Sequence, residues 1–276
     1  MTIGEVDIES VKRLSRDLIT AIKDKTLVMT RGDIRYLVDV YYQLQEFRKA
    51  AYSQEGAADA QAEPKNLVEW MAQQLEILEN QVRRALDAWT STDPVSKWAK
   101  SIHGIGPVLS AGLSAHIDIE RAPTVGHIWS FAGLNPKMVW EKGQKRPYNA
   151  RLKVLCWKIG DSFVKQHNNP KCAYGRVYAE RKALEVSRND GGLLKEQAAA
   201  TLEAKKITDK ATRARYEEGR LPDGRIDLRA RRYAVKLFLS HWHDVSYRER
   251  YGVAPPLPYP IAHLGHAHVI RAEDMK

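Results

Sequence analysis

The chain has 276 residues, 43% of them hydrophobic, and carries 44 Lys and Arg against 34 Asp and Glu, a formal net charge of +10. That length fits one or two domains, and the apolar content, with seven tryptophans, excludes a disordered or fibrous chain. The excess charge lies in residues 101–276, because residues 1–100 hold 14 basic and 16 acidic side chains; a basic half joined to a near-neutral one points to a polyanionic partner, nucleic acid above all.

Glu5, Asp7 and Glu9 near the start are the opposite of a basic leader, so no signal peptide is expected. Val11, Leu14, Leu18 and Ile22 then recur at helical spacing behind the candidate caps Asp7 and Ser10. A second helix, capped by Thr30 or Asp33, carries the stripe Ile34, Leu37, Val38, Tyr41, Leu44 and Phe47. Residues 1–52 thus read as a helical hairpin, and 53–65, rich in Ala, Gly and Gln without apolar periodicity, as a flexible linker. In residues 66–100, Val68, Met71, Leu75, Leu78, Val82, Ala85 and Trp89 alternate three and four apart over three heptads. Two pairings fit this seam: an antiparallel partner within the chain, or a homodimer or higher oligomer built on Met71, Leu75, Leu78 and Val82. Asp93-Pro94 opens a short helix to about Lys100.

Ser101–Ile117 is a long uncharged stretch, but its glycines and Pro107 rule out a membrane span. Within it, Gly104, Ile105, Gly106 and Pro107 make a helix-hairpin-helix pattern. The glycines let the backbone turn and present successive N–H groups, and the following helix aims its positive end the same way. Such a turn holds a phosphate oxygen, and without a ligand it is simply a tight helix-helix connection. Amide contacts of that kind read the sugar-phosphate backbone rather than the bases.

From Lys137 to Lys182 there are 12 Lys or Arg against 3 Asp or Glu, interleaved with Trp140, Tyr148, Trp157, Phe163, Tyr174 and Tyr178. Cations with flanking aromatics suit a phosphate-tracking groove, although a solvated charged face has the same composition. The candidate contacts are Lys137, Lys142, Lys145, Arg146, Arg151, Lys153 and Lys158, on a loop marked by Gly143 and Pro147 and on the helix behind it. Residues 101–190 therefore read as a helix-hairpin-helix DNA-binding domain. Residues 191–228 read as a charged insertion containing a protruding, solvated helix ended by the turn Leu221-Pro-Asp-Gly-Arg225. A closing helix occupies 229–252, and 253–276 form an extended Pro- and His-rich tail. Strand-like alternation is scarce, so the fold class is mainly α.

Two cysteines, Cys156 and Cys172, make neither a disulfide framework nor a metal knuckle, and a cytoplasmic location follows. His241, His243, His263, His266 and His268 have no complementary ligands at metal-site spacing, so they are expected to be structural or surface groups. No metal or other cofactor is expected.

The order of these elements, a heptad helix, Ile102-His-Gly-Ile-Gly-Pro107, Ala115-His-Ile-Asp-Ile119, Trp129-Ser-Phe-Ala-Gly-Leu-Asn-Pro136, a basic loop and Arg229-Ala-Arg-Arg-Tyr-Ala-Val-Lys-Leu-Phe238, resembles the C-terminal transposase domain of the DEDD insertion-sequence transposases, a family that includes the bridge-RNA-guided recombinases. The resemblance spans about 66–190 and 229–243 and implies a helical DNA-handling module carried on a coiled coil. Two departures stand out. The sequence before Val68 reads as helical and β-poor, leaving no place for that family's RuvC-like acidic tetrad. The segment Lys137–Arg146, where the family carries its nucleophilic serine, contains no Ser, Thr or Cys. The expected function is a non-catalytic DNA-binding accessory or regulator of recombination in a phage or mobile element, with structured RNA as an alternative ligand. A modulator that docks on a recombinase, and an active recombinase using Ser130, Ser162 or Tyr148, are the competing readings.

Overall fold

In a computed structural model, residues 8–57, 65–136, 138–258 and 270–275 are described. The protein is 72% helical, with eleven α-helices and no strand among the described residues, so the mainly α class holds. Two compact units divide the chain, one of Met1–Ser101 with Ile105–Asp118, the other of Ile102–Gly104 with Ile119–Lys276.

The first unit contains α1 (Ile8–Lys23), α2 (Arg31–Ala57), α3 (Lys65–Thr90), α4 (Pro94–Ser101) and α5 (Pro107–His116). Thr30 and Asp33 cap α2 together: the Asp33 N–H donates to Thr30 Oγ1 at 3.2 Å and the Thr30 N–H to Asp33 Oδ2 at 2.8 Å, a reciprocal capping box. Because α2 continues to Ala57, residues 53–57 are helical rather than part of a loop, and 58–64 lie outside the described residues, as do the side chains of Val11 and Leu14. Asp93 caps α4 through the Ser96 N–H at 2.7 Å, with Pro94 at the first helical position.

Ile34, Val38, Leu86, Val108, Ala111 and Ala115 form the core where α5 packs on α2 and α3. The buried face of α3 consists of Ala72, Glu79, Ala85, Leu86, Ala88 and Thr90, and Glu79 pairs with Arg48 of α2 at 2.6 Å. Small alanines let neighbouring helices approach closely there. The heptad positions Met71 and Leu78 stay 47% and 45% exposed, while Leu75 and Val82 are half-buried.

The second unit contains α6 (Val125–Phe131), α7 (Ala150–Lys165), α8 (Ala173–Asp190), α9 (Lys195–Ala204), α10 (Lys210–Glu217) and α11 (Asp223–Tyr251), with single 3-10 turns at Ile119–Arg121 and Ala272–Met275. Its centre is aromatic: Phe163 stacks on Tyr174 at 5.0 Å, and Phe238 meets both rings edge-on at 5.7 and 5.2 Å. Gly160 lets α11 lie against α7, since a Cβ there would sit 2.6 Å from Arg231 Cγ.

Two expectations for this unit are corrected. The segment 191–218 is not one solvated helix but two, α9 and α10, folded around Leu194, Ala198, Tyr216, Leu221 and Ile226. Asp209 breaks it by capping α10, accepting the Thr212 N–H at 2.7 Å. The Pro-Asp-Gly sequence does not close a helix but starts one: Pro222 is the N-cap of α11, which runs 29 residues to a left-handed Gly252. Residues 259–269, with His263, His266 and His268, lie outside the described residues.

Candidate nucleic-acid interface

The two glycines of the hairpin are not equivalent. Gly104 has φ +93°, a conformation reserved for glycine, and a Cβ there would meet Ser162 Oγ at 3.2 Å. Its carbonyl accepts the Ser162 hydroxyl at 2.6 Å, and the carbonyl of His103 accepts the Cys172 thiol at 3.4 Å. The His103 ring lies 3.2 Å from Gln166 Oε1 and 2.9 Å from Asn169 Nδ2. Residues 102–104 are thereby fastened to the end of α7 and the turn after it. Gly106, by contrast, is the exposed N-cap of α5 with φ −84° and ψ 175°, no side-chain cap hydrogen bond, and no atom within 4 Å of the place a Cβ would take. Extended backbone of that kind suits any residue, so the fold itself does not call for glycine there. Ile105 is buried in the first unit, at 4% exposure.

The basic loop between α6 and α7 has its own internal order. α6 ends in a Schellman motif in which the Leu134 N–H donates to Trp129 O at 2.8 Å and the Gly133 N–H to Ser130 O at 3.0 Å, with Gly133 at φ +66°. Tyr148 packs on Gly133, where a Cβ would come within 3.0 Å of the ring, and Lys153 Nζ lies 4.2 Å from the centre of that ring. Trp140 Nε1 donates to Gln144 O at 2.8 Å, and the Arg146 guanidinium covers the Trp140 ring at 5.4 Å. The Asn149 N–H donates to Phe131 O at 2.8 Å while its side chain caps α7 through the Leu152 N–H at 3.0 Å.

Lys142, Lys145 and Arg146 are exposed on this loop, Arg151 and Lys153 are exposed on the first turn of α7, and Lys158 is half-buried two turns on. Lys137 lies outside the described residues. Val154 and Trp157, 53% and 54% exposed, add an apolar face to the same helix, with Arg231 5.5 Å over the indole. Exposed cations beside exposed rings can hold a sugar-phosphate backbone by charge and stack against its bases.

The Ser162 and Ser130 hydroxyls are engaged elsewhere, and Tyr148 has a packed ring. Ser162 donates to Gly104 O, Ser130 Oγ accepts Asn135 Nδ2 at 3.2 Å, and Tyr148 is sandwiched between Gly133 and Lys153. Burial pushes the Cys156 thiol up to about 12. His241 and His243 sit inside the second unit. His241 Nε2 faces Ile270 O at 2.8 Å and its Nδ1 faces the Tyr174 hydroxyl at 2.7 Å, while His243 Nε2 faces Ala122 O at 2.8 Å. Since a carbonyl only accepts, each Nε2 carries the proton. Burial holds both imidazoles below their ordinary range, opposed by those carbonyls and by Asp244.

Sequence reasoning missed the ionic contacts between α8 and α11. The fully buried Glu185 carboxylate pairs with Arg181, with Arg229 at 2.7 Å and with Arg188 at 3.5 Å. Asp227 takes Lys182 at 3.0 Å and the Tyr178 hydroxyl; against the effect of burial, these bonds hold its carboxyl below the usual range. Arg181 and Arg188 are helical neighbours of Glu185 on α8, whereas Arg229 reaches it from α11, and that cross-helix pair, like Asp227 with Lys182, is invisible to any local pattern.

Residues 96–170, which take in the hairpin, α6, the basic loop and α7, match the family described as Transposase IS116/IS110/IS902. Over this segment the chain is similar to a transposase family, and the similarity supports a role connected with recombination. No curated protein and no solved structure matches the chain. No helix among the described residues is long and apolar enough to cross a membrane.

Proposed function

We propose that this protein binds DNA through its backbone and serves recombination as an accessory or regulatory factor without carrying out strand chemistry itself. The observation that carries the reading is the loop Trp140–Arg146. In the region similar to a transposase family, it displays Lys142, Lys145 and Arg146 on a scaffold braced by Trp140 and contains no hydroxyl or thiol side chain. Phosphoryl transfer needs a positioned nucleophile as well as charge stabilisation; this loop supplies charge. Residues 101–190 form the DNA-binding part in this reading, with Gly104–Gly106, Arg151, Lys153 and Lys158 as further backbone contacts. The α3 face bearing Met71, Leu75, Leu78 and Val82 joins a second copy of the chain.

The test is a salt titration of binding to duplex DNA with the wild type and Lys145→Glu/Arg146→Glu. Neutralising about six phosphates gives a log–log slope near −5, and the charge reversal should cut affinity by at least about tenfold at low salt, given that two favourable charges become repulsive. Absence of wild-type binding to DNA or RNA at low salt refutes the reading, and a covalent adduct on a nicked suicide substrate refutes its non-catalytic part.

A further inference from the structure

α11 carries a row of four cations, three of which the fold leaves without counter-charge. At 100° per residue, Arg225, Arg229, Arg232 and Lys236 fall within about 60° of one another on one side of the helix, and the first and last lie about 16 Å apart along its axis. Arg229 is neutralised by Glu185 at 2.7 Å. The other three have only uncharged partners. Arg225 Nε donates to the Tyr216 hydroxyl at 3.4 Å, Arg232 Nε donates to Leu228 O at 3.1 Å, and Lys236 Nζ lies 4.0 Å from the centre of the Trp129 ring. Among the described residues no carboxylate is within ion-pair distance of these three.

The contrast with the neighbouring sides of the same helix is informative. There, Arg231 meets Asp161 and Asp227 at 3.6 and 3.4 Å, and Asp227 also takes Lys182 at 3.0 Å. Carboxylates are placed where α11 meets α7 and α8, Glu185 beside Arg229 included, and among the described residues none pairs with Arg225, Arg232 or Lys236. Desolvation and then repulsion from Arg225 and Arg229 lower Arg232, and desolvation and then Arg232 lower Lys236. A solvated helix face ordinarily alternates its charges, so a single-sign row under mutual repulsion is suited to a ligand that brings regularly spaced negative charges of its own.

The row also leads to the basic loop through α6. The Trp129 ring under Lys236 donates its Nε1–H to the Lys236 carbonyl at 3.2 Å, and two residues on, the Phe131 carbonyl holds the Asn149 N–H that closes the loop. We infer that Arg225, Arg232 and Lys236 form a second backbone-contact track for duplex DNA, joined through Trp129 to the loop bearing Lys142, Lys145 and Arg146. This inference rests on the DNA-binding reading above and adds a surface to it.

The experiment uses the full chain, fluorescence anisotropy with a labelled duplex over a salt series, and thermal melting. Three proteins are compared: wild type, Arg225→Gln/Arg232→Gln/Lys236→Gln, and Lys142→Gln/Lys145→Gln/Arg146→Gln. Removing three phosphate contacts should make the salt slope shallower by about 2.7, and relief of repulsion should leave the melting temperature of the α11 variant unchanged or higher. Combining both sets of changes should add their slope losses. An unchanged slope in the α11 variant, with wild type binding and the loop variant impaired, overturns the track alone. Failure of wild type to bind overturns the DNA-binding reading itself. Should the triple variant melt lower, Arg232→Gln is compared instead: a slope loss of about 0.9 with wild-type melting supports the track, and an unchanged slope overturns it. Equal competition by single-stranded DNA overturns the assignment to duplex.

Discussion

Replacing each hairpin glycine by alanine separates what the fold requires from what a ligand requires. At Gly104 an alanine is forced to φ +93° and its Cβ presses on Ser162 Oγ at 3.2 Å. Strain in such a region costs roughly 1–3 kcal/mol, and displacing the Ser162 hydroxyl from the Gly104 carbonyl adds about 1 kcal/mol. Gly104→Ala should therefore destabilise the second unit by about 2–4 kcal/mol, the sum of those two costs. At Gly106 the backbone is already extended and nothing lies within 4 Å of the new methyl. Alanine is the poorer N-cap by several tenths of a kcal/mol, and the loss of glycine entropy in the unfolded chain returns about 0.4–1 kcal/mol. Gly106→Ala should thus leave stability within about 0.5 kcal/mol of wild type. If the amides at the start of α5 hold a phosphate, the methyl crowds that approach, and loss of one charge-assisted hydrogen bond of about 1.5 kcal/mol lowers DNA affinity about tenfold. Urea denaturation and anisotropy on the same preparations give both numbers. A Gly106→Ala protein that binds DNA like wild type refutes phosphate capture at this turn, and a Gly104→Ala protein of wild-type stability refutes the conformational argument.

Three other outcomes are expected. His241 and His243 have depressed folded-state values, so between those values and the ordinary 6.5 the unfolded chain binds more protons. Stability contributed by the neutral rings is present above pH 6.5 and falls as pH drops below it, so melting near pH 5.5 should be lower than near pH 7.5, and His241→Gln should shrink the difference. Glu185→Ala leaves Arg181, Arg188 and Arg229 without their carboxylate, and because these arginines keep 25–40% exposure the cost should be roughly 2–3 kcal/mol, below that of a wholly buried pair; a loss under 1 kcal/mol in denaturant titration would assign the cluster to the solvated surface. Met71→Glu/Leu78→Glu should convert an oligomer to a monomer in sedimentation, with unfolding unaffected, because both side chains are nearly half exposed within the protomer.

Helix positions were legible where a side chain signs the end of a helix, as Thr30, Asp33, Asp93, Pro94 and Pro107 do. The face a helix buries was less so. On α3 the apolar heptad suggested one seam, while the packed face is set by small alanines and by Glu79, a charge that becomes an interior residue only because Arg48 lies opposite. Asp209 does not stand out as a cap in the sequence because it sits among other charged residues. The candidate site divides similarly. Charge counting found the loop, but a count has no helical phase, so the row Arg225, Arg232 and Lys236 stayed hidden although its spacing of seven and four was present in the sequence. Nor could composition reveal that Gly104 and Gly106 differ in φ, since the turn conformation depends on what Ser162 and Phe163 place beside Gly104.

The lobe formed by α9 and α10 is closed at its neck by Asn189, with Arg220 set 3.9 Å from Asp190 beside it. Asn189 donates to Leu221 O at 2.9 Å and accepts the Leu221 N–H at 2.8 Å, so the two ends of a 32-residue excursion meet in a paired amide clasp. The lobe's small apolar cluster is shared with Ile226 at the start of α11, and Arg229 donates to Gln197 Oε1 at 2.8 Å; the lobe is expected to open and reclose as a subglobal unit only when those contacts part, while the rest of α8 and α11 remains paired. Hydrogen exchange in α9 and α10 is then governed by local opening, and that of α8 and α11 by unfolding of the whole unit. Chain length within the excursion becomes a variable that natural or engineered sequences can change without shifting the register of α8 against α11.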